Sequence, residues 1–148
     1  MTATRAYHHG DLRAALLQAA EAEMTEKGIE AFSLRSVAKR AGVSHAAPAH
    51  HFGDVTGLLT ALAAEGFRTF LATQIAREAE AEPPAERLEN AGLGYVDFAV
   101  SRPALFRLIF SSSRPDFGDA DLTAAADAAY AHLVELVSDL GGTEADVH

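Results

Sequence analysis

The side chains best suited to binding chemistry are concentrated in one segment, between Ser33 and Phe52. Serine hydroxyls, basic side chains and three histidines all occur there. Hydroxyl and imidazole groups donate hydrogen bonds to phosphate, and imidazole is also a common metal ligand. The segment is therefore a candidate for contacts to phosphate or for a metal site, and the spacing of its residues distinguishes the two.

The spacing of the histidines argues against a metal site. Adjacent residues on a helix, such as His50 and His51, point about 100° apart, and His45 lies five positions before His50. Neither pair has the three- or four-residue spacing that places two ligands on one helix face, and the chain has no cysteine. It also lacks a phosphate-binding glycine loop and a nucleophilic serine motif. We therefore expect no metal, no cofactor and no enzymatic activity.

The same segment has the spacing of a helix-turn-helix. Ala38 stands four residues before Gly42, which is followed by Val43 and Ser44. A small residue at position 38 lets two helices cross closely, and a glycine at 42 can take the left-handed conformation that reverses the chain. The exposed second helix of such a unit can enter the major groove of DNA. The alternative is an ordinary three-helix corner in an all-α protein.

Composition and periodicity predict an all-α fold around this unit. Hydrophobic residues make up 49% of the 148-residue chain, and many are alanine, a strong helix former. Helical spacing, caps and breakers predict seven helices: 11–27, 34–41, 45–52, 55–80, one from Pro84, one from Pro103, and 120–140. The predicted N-caps of the first four are Asp11, Ser33, Ser44 and Asp54. On the last helix, Tyr130, Leu133, Val134, Val137 and Leu140 are predicted to face inward.

No segment approaches the ~18 apolar residues that a membrane helix needs, and the N-terminus has no signal-peptide core. The sequence therefore predicts a cytoplasmic protein without a membrane partner.

Two stretches resemble a known family. The run YHHGDLRAALLQAAEAEMTEKGIEAFSLRSVAKRAGVSHAAPAHHFGDVTGLLTAL, residues 7–62, resembles the DNA-binding head of TetR-type transcriptional regulators. YVDFAVSRPALFRLIF, at 95–110, is similar to a subgroup whose helical C-terminal domain binds a small effector and dimerises. The resemblance implies a three-helix helix-turn-helix head in residues 1–54. A long fourth helix would join it to a helical effector-binding and dimerisation body in residues 55–148.

The resemblance also implies roles for individual residues. Ser33 and Arg35 would contact phosphate, and Ser44, His45 and Ala46 would face bases or phosphate. His50 and His51 would lie near the DNA backbone. Reading of the base sequence would come mainly from His45, with apolar contacts from Ala46 and Ala49.

The chain departs from the family pattern at several positions. Ala49 stands where the family usually has a tyrosine, and Val55 stands where a lysine usually opens the fourth helix; both missing groups commonly hold phosphate. Pro48, at about the fourth position of the predicted third helix, would forfeit a backbone hydrogen bond. We therefore expect weaker or more context-dependent DNA binding than in a typical member. Such regulators usually continue beyond the position of His148 through two further helices that form the dimer interface, so the resemblance implies either a shortened chain or a dimer that is built differently.

Aromatic residues of the body are candidates for lining an effector pocket, with an ordinary core role as the alternative for each. The candidates are Phe67, Phe70, Tyr95, Phe98, Phe106, Phe110 and Tyr130. Asp97, Arg102 and Arg107 are candidate polar anchors, and for each the alternative is an exposed ion pair.

The formal net charge of −9 lies in one part of the chain. Residues 1–60 carry six Lys or Arg and six Asp or Glu, so the acidic excess falls entirely in residues 61–148. The acidic balance therefore neither excludes nor assists DNA binding by the head. The combined pattern predicts a ligand-responsive repressor that binds a palindromic operator as a homodimer. The alternative is a small-molecule-binding or protein-interaction module with weak or no DNA binding.

Overall fold

The computed structural model describes residues 8–81 and 84–141, which form seven α-helices and no strand. The helices are α1 (His8–Lys27), α2 (Leu34–Ala41), α3 (Ala47–Phe52), α4 (Val55–Glu78), α5 (Pro84–Ser101), α6 (Pro103–Ser111) and α7 (Ala120–Asp139). The predicted all-α class is confirmed. The predicted head (residues 1–54) includes residues 1–7, which lie outside the described ranges, and the predicted body (residues 55–148) includes residues 82–83 and 142–148, which also do.

Of the four predicted caps, Ser33 and Asp54 are confirmed, and Asp11 and Ser44 are wrong. The Ser33 hydroxyl accepts a hydrogen bond from the backbone N–H of Ser36 (3.1 Å), and the Asp54 carboxylate accepts one from Gly57 (2.7 Å). Asp11 does not cap α1, because that helix already begins at His8 and Asp11 lies within its first turn. A carboxylate there still favours the helix, since it faces the positive end of the dipole.

The third helix starts later than the pattern predicted. Ser44 is not its cap; Ala46 occupies that position without a side-chain hydrogen bond, and His45 and Ala46 form a turn before the helix. Pro48 is the reason, because a helix beginning at Ala47 places the proline in the first turn, where its missing N–H costs no hydrogen bond. The expected backbone penalty at Pro48 is therefore wrong.

One continuous hydrophobic core joins the predicted head to the predicted body. It runs from Leu16 and Ala20 of α1 through α4 to Leu105 and Leu108 of α6 and on to α7. Gly66 of α4 permits a close approach of α6, since a Cβ there would lie 2.9 Å from Ile109 and 3.1 Å from Leu105. Helix α4 is therefore the central element, in contact with α1, α3, α5, α6 and α7.

The inward face of α7 differs from the predicted one. The buried residues are Leu122, Ala125, Ala129 and Leu136, whereas Tyr130 and Leu140 are exposed and Leu133, Val134 and Val137 are half-buried. Ala125 and Ala129 allow close packing of α7 on α4, and Leu122 and Leu136 are the large residues of the same buried face. Ile75 of α4 is exposed.

Candidate nucleic-acid interface and body cavity

The α2–α3 corner has the geometry of a helix-turn-helix turn. Gly42 has φ +70°, and the Gly42 and Val43 N–H groups donate to the carbonyls of Lys39 and Ala38 (3.2 and 3.1 Å). A Cβ at position 42 would meet no atom within 4 Å, so the backbone angle requires glycine and crowding does not. Ala38 is fully buried, so a larger side chain there would collide with the packed helices.

Most of the predicted DNA-contact residues lie together on the surface of this unit. Ser44, His45, Ala46, Ala49 and His50 are exposed in the turn before α3 and on α3 itself. Arg35 is exposed on α2, as is Lys39, which the residue-by-residue prediction missed although its spacing to Arg35 marks the same face. Among the described residues neither of these two cations forms an ion pair. Both are therefore available to an anionic partner.

Ser33 is placed differently from the other predicted contacts. Its hydroxyl is half-buried, accepts from Ser36 N–H, and donates to the Ser36 hydroxyl (3.0 Å). A hydroxyl has a single hydrogen to donate. The Ser33 hydroxyl hydrogen is therefore already used in the bond to Ser36 and is not available to a phosphate.

Arg40 lies beside the exposed cations but serves the packing of the head. Its guanidinium donates to Glu23 of α1 (2.8 Å) and pairs with Glu26. Lys27 lies 3.4 Å from the second Glu23 oxygen, and the Glu23 side chain is buried. The hydrogen bond from Arg40 lowers the pKa of Glu23 below its usual range, against the opposing effect of burial. This cluster joins α2 to α1.

The end of α3 is attached to α1 and followed by α4. The Arg13 guanidinium lies 5.4 Å from the centre of the Phe52 ring, a cation–π distance. The His50 and His51 rings contact edge to face, with centres 5.6 Å apart. His51 is half-buried and lines a concavity with Asp54, Asp116 and Asp119, whereas His50 is exposed. His50 is therefore the better placed of the two to meet a phosphate.

An apolar cavity of about 450 Å³ lies between α4, α5 and α7. It is lined by Phe67, Phe70, Gln74, Leu88, Ala91, Gly92, Tyr95, Phe110, Ala126, Ala129, Tyr130 and Leu133. The described lining contains no formally charged side chain, and its amide is Gln74, whose Nε2 donates to the Ala91 carbonyl (3.2 Å). Cavities of this size and composition are suited to small apolar ligands.

Five of the seven predicted pocket residues line this cavity: Phe67, Phe70, Tyr95, Phe110 and Tyr130. Phe98 does not, because it is buried behind Phe70, with ring centres 5.5 Å apart. Phe106 is also outside the lining and packs against Tyr95 and Phe110, at 5.3 and 5.0 Å. Phe98 and Phe106 thus hold the rings of the lining in place.

The candidate polar anchors lie elsewhere. Arg102 pairs with Glu21, Asp97 pairs with Arg77 (2.6 Å), and the exposed Arg107 borders a different concavity. The ion-pair alternative is therefore the one observed for Arg102 and Asp97.

Residues 8–81 and 84–141 contain no group of three or more His, Asp or Glu side chains arranged to hold a metal. None of their helices combines the length and apolarity required to cross a bilayer.

Two family models match most of the chain. The model of bacterial regulatory proteins of the tetR family matches residues 16–62, which include α2, α3 and the turn between them. A tetracyclin repressor-like C-terminal domain model matches residues 88–148. The first match runs from α1 into α4, past the predicted boundary at residue 54, and the second begins in α5.

Comparison of the chain with individual proteins leads to the same family. The HTH-type transcriptional regulator BetI of Burkholderia mallei is 34% identical over 95 residues, which are 63% of this chain and 49% of BetI. The match thus covers about half the length of BetI. A protein of unknown function from Rhodococcus sp. RHA1 is 35% identical, with a TM-score of 0.77 over 91% of this chain and 70% of its own.

A TetR family transcription regulator from Marinobacter aquaeolei VT8 has the same fold, with 23% identity and a TM-score of 0.69 over 86% of this chain and 66% of its own. The relatives with a stated function are transcriptional regulators rather than enzymes. The chain therefore belongs to the TetR family of bacterial transcriptional regulators and carries its helix-turn-helix DNA-binding domain.

Proposed function

We propose that this regulator is a ligand-responsive repressor that binds a palindromic operator as a homodimer, with residues 1–54 as its DNA-binding domain and 55–148 as its effector-binding and dimerisation domain. The observation that carries the proposal is the position of the cavity. Its lining includes Phe67 and Phe70 of α4, the helix that follows the helix-turn-helix after Gly53 and Asp54. A ligand that touches these rings acts on the element that positions the head.

The exposed side chains around α3 support the DNA-binding part of the proposal. Ser44, His45, Ala46 and Ala49 would face base edges or phosphate in the major groove, and Arg35, Lys39 and His50 would meet the backbone. Because one short helix reads only a few base pairs, a second copy would supply the other half-site. The recognition helices would then lie about 34 Å apart or a multiple of that distance.

The lining of the cavity supports an uncharged, largely apolar effector. Five aromatic rings line the cavity, and its described lining holds no formally charged side chain that could pair with an ionised group. Such an effector changes DNA binding only if it prefers one arrangement of head and body over the other. A ligand seated between α4 and α7 would do so by setting their separation.

Selection of bound duplexes from a random pool tests the proposal. We expect enrichment of a sequence with two inverted half-sites whose centres are about ten base pairs, or a multiple, apart. Ser44→Ala and His45→Ala should each weaken binding to the selected duplex, and binding should weaken steeply as salt rises. Arg107→Ala, an exposed change on the body, is the matched control. Enrichment of a single half-site would contradict the dimer, and unchanged affinity in both variants would contradict this interface.

The charge distribution favours one other candidate, a helical module that binds a small molecule or a protein with little DNA affinity. Ala49 and Val55 offer no phosphate donor from their side chains, and Arg40 is committed to Glu23 and Glu26. Failure of the selection to enrich any duplex, together with calorimetric binding of an apolar compound, would support this candidate over the repressor.

A further inference from the structure

We infer that DNA binding by this protein takes up protons, and that His45 and His50 supply part of the positive charge that meets the phosphates. The affinity for DNA should then fall as pH rises from 6 to 8. The inference rests on the proposed function, because it places these two histidines at the DNA interface.

The surface formed by α2, α3 and the turn between them has few permanently charged side chains that are not already paired. Arg40 and Lys27 are held by Glu23, and Arg13 lies over the Phe52 ring. Arg35 and Lys39 remain as exposed cations of the described head that form no ion pair there. His45 and His50 are exposed on the same unit, so protonation of both would double the charge offered by Arg35 and Lys39.

A phosphate contact favours the charged form of an imidazole. DNA binding is dominated by neutralisation of phosphates, and a nearby negative charge stabilises imidazolium over imidazole. A histidine that is partly neutral in the free protein therefore binds a proton when DNA binds. By linkage, each proton taken up lowers the binding constant by at most tenfold for each unit of rising pH.

The neighbouring elements carry other ionisable groups. These are Asp11 and Arg13 on α1, Arg35, Lys39 and Arg40 on α2, and Asp54 at the start of α4. Arg13 lies over the Phe52 ring of α3, and the His51 ring touches that of His50. The Asp54 carboxylate is used as the α4 cap, and Arg40 is paired with Glu23. His51 is excluded from the inference because Asp54, Asp116 and Asp119 line the same concavity.

Few other side chains change charge in this pH range. Carboxylates titrate below about pH 5 and lysine or arginine above about pH 9, which leaves the histidines. His132 is paired with Glu78 inside the body (2.6 Å), away from α3. The chain also has His8, His9, His51 and His148, so the test must assign the effect to His45 and His50.

Fluorescence anisotropy with a mixed-sequence 40-base-pair duplex provides the test, because phosphate contacts do not require the operator. For the full chain at constant salt we expect affinity to fall about fivefold or more between pH 6.5 and 7.5, and to change less than twofold in the His45→Gln/His50→Gln variant. His50→Arg should bind more tightly at pH 8 and vary less with pH. Lys39→Gln, the matched control, should weaken binding at every pH while keeping the pH dependence.

The outcomes are distinguishable. Affinity that is constant between pH 6 and 8, or pH dependence that persists in the double variant, would overturn the inference and leave the proposed function intact. Absence of binding to any duplex at either pH would overturn both. Circular dichroism at pH 6 and 8 guards against unfolding as the cause; both histidines are exposed, so the variants should fold normally.

Discussion

Arg102, between α5 and α6, forms a two-pronged ion pair with Glu21 of α1: its Nε lies 2.6 Å from one carboxylate oxygen and its Nη2 lies 2.5 Å from the other. The hydrogen bonds to Glu21 raise the pKa of Arg102. The two residues are 81 positions apart in the chain. This pair fastens the first helix of the head to the start of α6, whose other end reaches the cavity at Phe110.

A double-mutant cycle with Glu21→Gln and Arg102→Gln should give a favourable coupling of about 1 kcal/mol or less, because the Arg102 side chain is partly exposed. Urea unfolding measures it. The matched control is Arg114 with Glu30, a pair in which Glu30 is largely exposed, where we expect coupling near zero. Equal coupling energies in the two pairs would contradict the prediction that the Arg102–Glu21 pair contributes more to stability than the Arg114–Glu30 pair.

Substitutions at position 42 should be limited by the positive φ angle and not by a clash of the added Cβ. Gly42→Ala should cost about 1–2 kcal/mol, because φ is +70° and the added Cβ meets nothing. Gly42→Asn should cost less, since asparagine enters the left-handed region more readily. Ala38→Leu should cost about 1–3 kcal/mol through overpacking at a fully buried site. Thermal unfolding of the three variants checks this ranking.

The stability of the head should depend on the ionisation of Glu23. The pKa of this group is lowered from an ordinary value of 4.5 by Arg40, so its contribution is complete above about pH 4.5 and is lost as pH falls through the lowered value. Glu23→Gln should therefore reduce Tm most at pH 6–8, with a smaller difference from the unmodified chain in more acidic solution. Glu26→Gln, which removes an exposed partner of the same arginine, should have less effect. A Glu23→Gln difference that stays constant down to pH 3 would argue against this ionisation as the cause.

Filling the cavity should block apolar ligands without harming the fold. Gly92 lines the cavity, and a Cβ there meets no atom within 4 Å, so Gly92→Leu projects into open space. Replacing a helical glycine also favours the helix by up to about 1 kcal/mol. We expect the fluorescence-detected Kd for the neutral probe N-phenyl-1-naphthylamine to rise about tenfold, with DNA affinity unchanged. Val100→Leu, on the exposed face of α5, is the control.

Replacement of the two arginines of α2 should affect different properties, namely DNA affinity for Arg35 and thermal stability for Arg40. Arg35→Ala should weaken DNA binding and reduce the salt slope of log K by about 0.9, with little change in Tm. Arg40→Ala should instead lower Tm, because it leaves the buried Glu23 carboxylate without its guanidinium partner. Anisotropy titrations across a salt series and thermal unfolding distinguish the two effects. Similar losses of Tm in both variants would refute the division.

Local sequence patterns were sufficient for the helix count and the corner. Ser33 and Asp54 are caps recognisable from residue type and position, and Gly42 marks a left-handed turn. These features depend on residues within four positions of one another, so they can be read from the chain directly. The same local reasoning placed His45 and Ala46 inside α3, because it did not let Pro48 shift the start of the helix.

Tertiary packing determines which side chains remain available to bind DNA or a ligand. Arg35 and Arg40 are both basic residues of α2, yet Arg40 alone is held by Glu23, which lies 17 positions away. Phe98 and Phe70 have similar helical spacing, yet Phe70 alone lines the cavity. Arg102 was predicted to be a ligand anchor or a member of an exposed ion pair, and its partner proves to be Glu21, 81 positions away. The sequence by itself therefore determined the helices and the left-handed corner, because caps, turns and periodicity act over a few residues. Only the tertiary structure decided which charges and rings stay free, because burial and ion pairing depend on contacts between distant segments.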